Sequence, residues 1–493
     1  MDNRDIFLPA DYRPRAVPDY FDDGLSIESS TVFQPEVYPV ALHILAGSGR
    51  RRLVDVGCGV GRKLAEAPVE ARLGLDFGAN IARCREVYPH AAEWRECDLS
   101  EPVPADLVDS IGPQDVVVCS DVIEHLVDPR PSLGFLRICF ERGAAVITST
   151  PERVLVRGAD HRGPPPNPAH VCEWALEEYR ALLGAYGLPP LYIGLTHNND
   201  CDRLLRTIIS LHEPRLQQHF VPAPRRPLAI LSCYNEQDVL DEVIEHWIAQ
   251  GCDLHILDNW STDRSWSLLQ AAQARFGPHV RCERFPADEP DSGAWREILL
   301  RKEEIAAQHV GRWIIHTDAD ELRRSPFGGF NLADAMHMVE RAGWNRISFC
   351  VLNHRPVDDR AFLEGGLATG LPYFEFGNKP GHFIQRKAWV QGGQRVSLAE
   401  SGGHLAEFAD ARDCPYQFAL HHYPLRSVEH GLRKINRERY GRWAPQELAQ
   451  GWHGHYAELA GDAVLVWDRA ALFDAREDFW ARHGLSVLTG LQR

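Results

Sequence analysis

A chain of 493 residues has room for two to four domains, and 44% hydrophobic content lets them bury large cores. The formal net charge of −16 argues against non-specific nucleic-acid binding, which needs lysine and arginine against phosphate, although Arg433–Arg442 forms a local basic stretch. No apolar run approaches the ~20 residues that span a bilayer, the start Met-Asp-Asn-Arg-Asp has no apolar signal core, and 12 cysteines lie scattered without a Cys-x-x-Cys pair; these features predict a cytoplasmic protein with reduced thiols, no membrane span, no zinc site and no disulfide framework.

Residues 1–49 are rich in proline and aspartate and read as an irregular lead-in. From 50 to 212, short apolar runs alternate with helical stretches. Arg51–Val56, Arg72–Asp76, Asp115–Ser120 and Ala144–Ser149 read as buried parallel strands. Helices are expected at about 61–67, 78–87 and 130–141, with two closing strands near Leu191–Thr196 and Arg203–Leu211. Residues 213–227 form a linker ending in Val221-Pro222-Ala223-Pro224-Arg225-Arg226-Pro227, where three prolines stop any helix or central strand. A second alternation fills 228–445. Its strands are expected at Leu228–Ser232, Leu254–Leu257, Val280–Phe285 and Trp313–Thr317, and its helices near 237–249, 263–275, 295–309 and 331–342. Beyond about 345 the pattern weakens, and the pairs Gly365-Gly366, Gly392-Gly393 and Gly402-Gly403 predict long loops around a site. Residues 446–493 read as a helical tail. The fold class is therefore α/β, with two tandem doubly wound domains.

In the first half, Val54-Asp55-Val56-Gly57-Cys58-Gly59-Val60-Gly61 runs from a strand into a helix. Glycines there permit a tight turn and close approach of backbone to a ligand, and a turn without ligand has the same look. Asp76 ends the next strand, where a carboxylate can accept bonds from both ribose hydroxyls. Asp98-Leu99 adds an acid suited to an adenine amine, and Ser120-Asp121-Val122-Ile123-Glu124-His125 follows the fourth strand.

These segments resemble class I S-adenosylmethionine-dependent methyltransferases, with Ser120–His125 the most specific part. The resemblance implies S-adenosylmethionine (SAM) as cofactor, held by Asp55, Gly57, Gly59, Gly61, Asp76, Asp98, Leu99 and Ser120. Methyl transfer is an in-line displacement that depends on orientation. A hydroxyl acceptor also needs a base, for which His125, His170 and Glu124 are the candidates; a helix-start histidine that only packs and hydrogen-bonds is the alternative for His125. A dehydrogenase using NAD shares the glycines and Asp76 but not the Ser120–His125 segment.

In the second half, Cys233-Tyr234-Asn235-Glu236, Asp258-Asn259-Trp260-Ser261-Thr262-Asp263 and Asp318-Ala319-Asp320-Glu321 each follow a strand, at the edge where open α/β sheets bind ligands. Ser261 also reads as a helix N-cap. Alternate residues of an extended chain point the same way, so Asp318 and Asp320 should converge, and close carboxylates repel unless a cation lies between them. Hard oxygen ligands suit Mn²⁺ or Mg²⁺. Together these motifs resemble glycosyltransferase family 2 and related GT-A enzymes. That resemblance implies a nucleotide-sugar donor (UDP- or similar) and a glycan acceptor. Asn235, Glu236 and Asp258 would then contact the nucleoside, while Asp318 and Asp320 would hold the diphosphate through the metal. His422 is the candidate third metal ligand and Glu407 the candidate catalytic base, with Asp410 and Glu375 as alternatives. Lys379, Arg386 and Arg395 are candidates for neutralising phosphate. The expected function is a bifunctional methyl- and glycosyltransferase of glycan or glycoconjugate biosynthesis, with O-methylation of a sugar. The alternative is a glycosyltransferase whose N-terminal domain only binds SAM or serves as a scaffold.

Overall fold

The structure is a computed structural model. It describes residues 2–23, 30–218, 220–290, 295–358, 361–377, 382–439, 465–476 and 478–491. Two compact units divide the chain: Met1–Phe220 with Trp480–Leu485, and Val221–Phe479 with Ser486–Arg493.

The first unit is built on seven strands: β1 (Arg52–Val56), β2 (Ala71–Asp76), β3 (Glu93–Glu96), β4 (Asp115–Ser120), β5 (Ala145–Pro151), β6 (Tyr192–His197) and β7 (Leu205–His212). Their order is β3-β2-β1-β4-β5-β7-β6. The first five pair in parallel, and β7 runs antiparallel to both β5 and β6. Asp115-Val116-Val117-Val118-Cys119 is buried along its whole length, as a strand covered on both faces must be. Helix Arg130–Glu141 buries Leu133, Leu136 and Phe140 on one stripe, spaced three and four residues apart. The lead-in is more ordered than its composition implies, since Val37–Ser48 is a helix that buries Val37, Val40, Ala41 and Ile44.

Arg50 and Glu213 form a fork of two hydrogen bonds, 2.9 and 2.6 Å long, with both side chains fully buried. Removing one partner strands the other charge without water. The Glu213→Ala variant is expected to lose about 3–5 kcal/mol of stability in this unit, measurable as a shift of its urea transition; a loss below about 1 kcal/mol would contradict the argument.

The second unit carries β8 (Leu228–Cys233), β9 (Asp253–Asp258), β10 (Val280–Arg284), β11 (Trp313–Asp318), β12 (Glu321–Arg324), β13 (Arg346–His354), β14 (Tyr373–Phe376), β15 (Ile384–Val390), β16 (Phe418–His422) and β17 (Phe473–Asp474). The main path is β10-β9-β8-β11-β15-β13-β14-β17, with β16 joining β12 to β13. β8, β9, β10 and β11 pair in parallel, whereas β12 runs antiparallel to β16. Helix Leu240–Ala249 buries Leu240, Val243, Ile244 and Trp247 in the spacing of one helical face.

The stretch after 345 adds four strands (β13 to β16) that extend the sheet, while Gly392-Gly393 and Gly402-Gly403 fall, as expected, in the long connection between β15 and β16. In β15 the pattern is broken by a charge that sits inside, Lys387, which joins Glu321 and Arg323 of β12. Glu321, Arg323 and Lys387 are all buried, and Glu321 bonds both cations, at 2.8 Å to Arg323 and 2.9 Å to Lys387. Of the expected helical tail, residues 446–464 lie outside the described residues; the remainder contains β17 and a helix at Phe479–Thr489. Among the described residues, no helix is long and apolar enough to cross a membrane.

Candidate functional sites

In the first unit, the carboxyl ends of β1, β2 and β4 open onto a cavity of about 880 Å³. Asp55, Gly57, Gly59, Asp76, Asp98, Leu99, Ser120, His125 and His170 all line it. Gly57 has φ +79° and Gly59 φ +55°, and a Cβ on Gly57 would lie 2.4 Å from Val122. The Gly59 amide donates to Asp76 Oδ2 at 2.8 Å, and the Phe77 amide donates to Asp76 Oδ1 at 2.8 Å. Burial pushes both Asp76 and Asp55 up to about 6, against the pull of those amides on Asp76 and of the Tyr38 hydroxyl on Asp55. Asp98 is exposed and bonds its own loop at Ser100, while Leu99 is buried. Gly61 is not part of the cavity lining. The side chain it lacks leaves room for Trp94, which a Cβ would meet at 2.5 Å.

The N-terminal segment supplies wall residues with no signal in the sequence. Tyr20, Phe21, Asp23, Gln34 and Tyr38 line the cavity. Tyr20 donates to Phe77 O at 3.0 Å, and the Val60 amide donates to Asp23 at 3.2 Å. No motif marks these residues, so their role appears only in three dimensions.

Glu124, His125 and His170 come together, each offering a ligand atom within 4.8 Å of the others. The two imidazoles meet edge to face with centroids 4.7 Å apart. Burial, reinforced by His170, lowers His125 to about 3. An imidazole that is neutral at physiological pH and protonates only near pH 3 is a weak general base.

In the second unit, the polar motifs also gather at strand ends, but they are more tightly knit than free ligand contacts would be. Asn235 (φ +55°) accepts from the Thr262 amide at 2.8 Å, and its own amide donates to Ser261 Oγ at 3.0 Å. Glu236 accepts from Arg426 at 2.6 Å and pairs with Lys434 at 3.2 Å. Asp258 is fully buried, accepts from the Ser261 amide at 3.3 Å, and leaves Oδ1 without a hydrogen-bond partner. Burial raises its pKa. Arg284, 3.6 Å from Asp258, lies over the rings of Trp260 and Trp266.

Asp318 and Asp320 do not confront each other unshielded, as the spacing argument assumed. Asp318 accepts from Ser232 at 2.6 Å and lies 3.8 Å from Lys302, a fully buried ammonium that also donates to Thr317 O and faces His316. Burial raises Asp318, but Lys302, His316 and Lys387 outweigh it and hold the carboxylate well below its usual range. Asp320 pairs with Lys434 at 2.9 Å. Its other oxygen is 3.9 Å from His422 Nε2, and His422 Nδ1 faces Asn353 Oδ1 at 2.9 Å. Lys302 and Arg426 escaped the sequence reading because nothing near them in the chain marks them, and Lys434 was read only as part of the basic stretch Arg433–Arg442; they reach the site from a helix and from the segment after β16.

The remaining candidates stand apart. Glu407 is exposed, with backbone bonds to Ser397. Asp410 is exposed, and Glu375 pairs with Arg355 at 2.7 Å. Arg386 faces Asp413 at 3.4 Å and Arg395 faces Glu303 at 3.7 Å, so each already has an acidic neighbour. Lys379 lies outside the described residues.

The architecture of both units and their strand-end sites define a two-part transferase chain. Residues 33–192 match the family model of a methyltransferase domain, and residues 229–322 match that of glycosyl transferase family 2. A ubiquinone biosynthesis O-methyltransferase from Caulobacter sp. (strain K31) is 35% identical over 122 residues, which is 22% of this chain and 46% of that protein. The match thus spans less than half of that relative. Among solved structures, a complex of a methyltransferase activator and a methyltransferase from Haloferax volcanii is similar, with 14% identity and TM-score 0.29, over 39% of this chain and 93% of that one. A TehB-like SAM-dependent methyltransferase from Corynebacterium glutamicum is also similar, with 16% identity and TM-score 0.26, over 38% of this chain and 91% of that one.

Proposed function

We propose that the chain carries out two group transfers: SAM-dependent O-methylation, with a sugar hydroxyl as acceptor, and metal-dependent glycosyl transfer from a nucleotide sugar to a glycan acceptor. The observation that carries this reading is that each unit gathers buried carboxylates at the carboxyl ends of its parallel strands, where open α/β sheets hold nucleotides. In the first unit, Asp76 would take the ribose hydroxyls and the glycine turn would lie against the rest of SAM, which supplies the methyl group. In the second, the unpartnered Asp258 Oδ1 would accept from a nucleobase N–H, and burying such an oxygen without a partner costs about 1–3 kcal/mol until a donor arrives.

The donor set fits a divalent cation at Asp320 and His422, with Asp318 beside them. Asn353 takes the Nδ1 side of His422, so its Nε2 is directed with a lone pair at Asp320, 3.9 Å away. Burial keeps His422 neutral, the form that ligates. A cation there would neutralise charge on the leaving diphosphate. Lys302 and Lys434 favour a second reading, in which ammonium groups supply that charge without metal.

Chelation separates the two readings. Glycosyl transfer, assayed by release of the nucleoside diphosphate, is expected to fall about 100-fold or more in EDTA and to return with Mn²⁺. Asp320→Ala should abolish the Mn²⁺ response. Activity that persists in EDTA, and in Asp320→Ala, would overturn the metal reading in favour of the lysines.

A further inference from the structure

Glu124 closes the short turn after β4 and is fully buried. One carboxylate oxygen, Oε2, accepts from Thr150 at 3.0 Å; the other, Oε1, has no hydrogen-bond partner. No lysine or arginine pairs with it among the described residues. A buried, unmatched carboxylate oxygen is costly, so its persistence calls for a partner.

The two neighbouring histidines lie beside Glu124, each offering a ligand atom within 4.8 Å of the others, and each has its Nδ1 engaged elsewhere. His125 Nδ1 is 3.1 Å from Ala169 O, and a carbonyl oxygen only accepts, so Nδ1 carries the proton. His170 Nδ1 is 2.8 Å from Glu173 Oε1, which is anchored in turn by two 3.0 Å bonds from Arg157. In each imidazole the proton is thus fixed on Nδ1, which leaves Nε2 as the lone-pair nitrogen. A carbonyl or carboxylate behind the ring is the arrangement that orients metal-binding histidines. Asp121, adjacent and fully engaged by Ser149 and Gln34, adds negative charge without offering a free oxygen.

We propose that Glu124, His125 and His170 bind a divalent first-row cation within the methyltransferase unit. Two imidazoles and a carboxylate suit Mn²⁺, Fe²⁺, Co²⁺ or Zn²⁺ better than Mg²⁺ or Ca²⁺. His125 and His170 line the cavity that holds Asp76, so the open coordination positions face the space available to a methyl acceptor. A hydroxyl oxygen of the acceptor bound there becomes more acidic. Its O–H bond breaks and the proton passes to solvent; the new C–O bond forms as the S–C bond of SAM breaks, releasing S-adenosylhomocysteine. This role for the acceptor rests on the methyl-transfer reading, whereas cation binding does not.

The probe is Co²⁺, whose visible d–d absorption reports nitrogen and oxygen coordination. The titration uses the full-length chain with Asp320→Ala and His422→Ala in place, so that the second unit adds no signal. One Co²⁺ per chain is expected, together with a higher melting temperature in Co²⁺ than in EDTA. Glu124→Gln, which keeps the shape of the side chain, and His170→Gln should each weaken binding by at least about 10–100-fold while the far-UV circular dichroism is unchanged. Absence of saturable Co²⁺ absorption in the parent, or equal affinity in both variants, would overturn the proposal. Saturable binding without any effect of chelation on methyl transfer would confirm the site and overturn its role toward the acceptor.

Discussion

Replacing Arg426 with methionine should destabilise the second unit by about 3–5 kcal/mol and disorder its strand-end carboxylate cluster as well. The Arg426 side chain is fully buried and makes three charged bonds, two to Asp238 at 2.8 and 2.9 Å and one to Glu236 at 2.6 Å. Burial alone would weaken its charge; Glu236 and Asp238 more than reverse this and raise its pKa. Without Arg426, Glu236 retains only Lys434 among these cations, and Lys434 also serves Asp320. The lost charge would draw Lys434 toward Glu236 and loosen Asp320. Lysine should be a poor substitute, since an ammonium cannot reproduce the planar fork that grips Asp238. The check is chemical denaturation of the single variant beside the triple variant Arg426→Met, Glu236→Gln, Asp238→Asn. Neutralising the stranded carboxylates should recover much of the loss. If the triple variant is no more stable than the single one, the penalty comes from lost packing and the electrostatic argument fails.

The same residues show where sequence reading reaches its limit. Most parallel strands of both units were legible because a strand covered on two faces is a continuous apolar run, as in Asp115–Ser120 and Trp313–Asp318; β3, where only Trp94 is buried, has no such run. The glycine turn and the acids at strand ends were legible because their chemistry is local to a few consecutive residues. The strands after Arg346 were not. Among them, β15 buries Lys387 in an ion-paired cluster with Glu321 and Arg323 of β12, and buried charges mimic an exposed segment when read one residue at a time. The pairings of Lys434 and Arg426 were missed for a related reason. A cation placed by tertiary folding beside an acid more than 100 residues away leaves no spacing to detect, as with Lys434 and Asp320. The aspartate pair itself was found, but its electrostatic meaning was incomplete without Lys302 and Lys434. In the first unit, Tyr20, Asp23 and Tyr38 belong to a segment whose composition resembles an unstructured leader, although it walls the cavity.

SAM affinity should depend on pH through Asp76, and the sign follows from its surroundings. Burial holds this carboxyl at about 6 in the folded chain, against 3.8 for the free group. The raised value means that protonation favours the folded state. The stability so contributed is fully present below about pH 3.8 and is lost as pH rises through about 6. A ribose diol donating to Asp76 has the opposite preference, since it strengthens the ionised form. Binding should therefore release a proton below about pH 6, and affinity should fall by up to about tenfold per pH unit on the acid side while remaining level above it. Asp55 is raised to about 6 as well, but it is engaged by the buried Tyr38 hydroxyl and is the less direct contact. Calorimetry with S-adenosylhomocysteine from pH 5 to 8 would measure both the slope and the proton release. Asp76→Asn should weaken binding by about 10–100-fold, the value of a hydrogen bond to a charged group, and should abolish the slope. An unchanged slope in Asp76→Asn would assign the linked proton to Asp55 and remove Asp76 from the ribose contact.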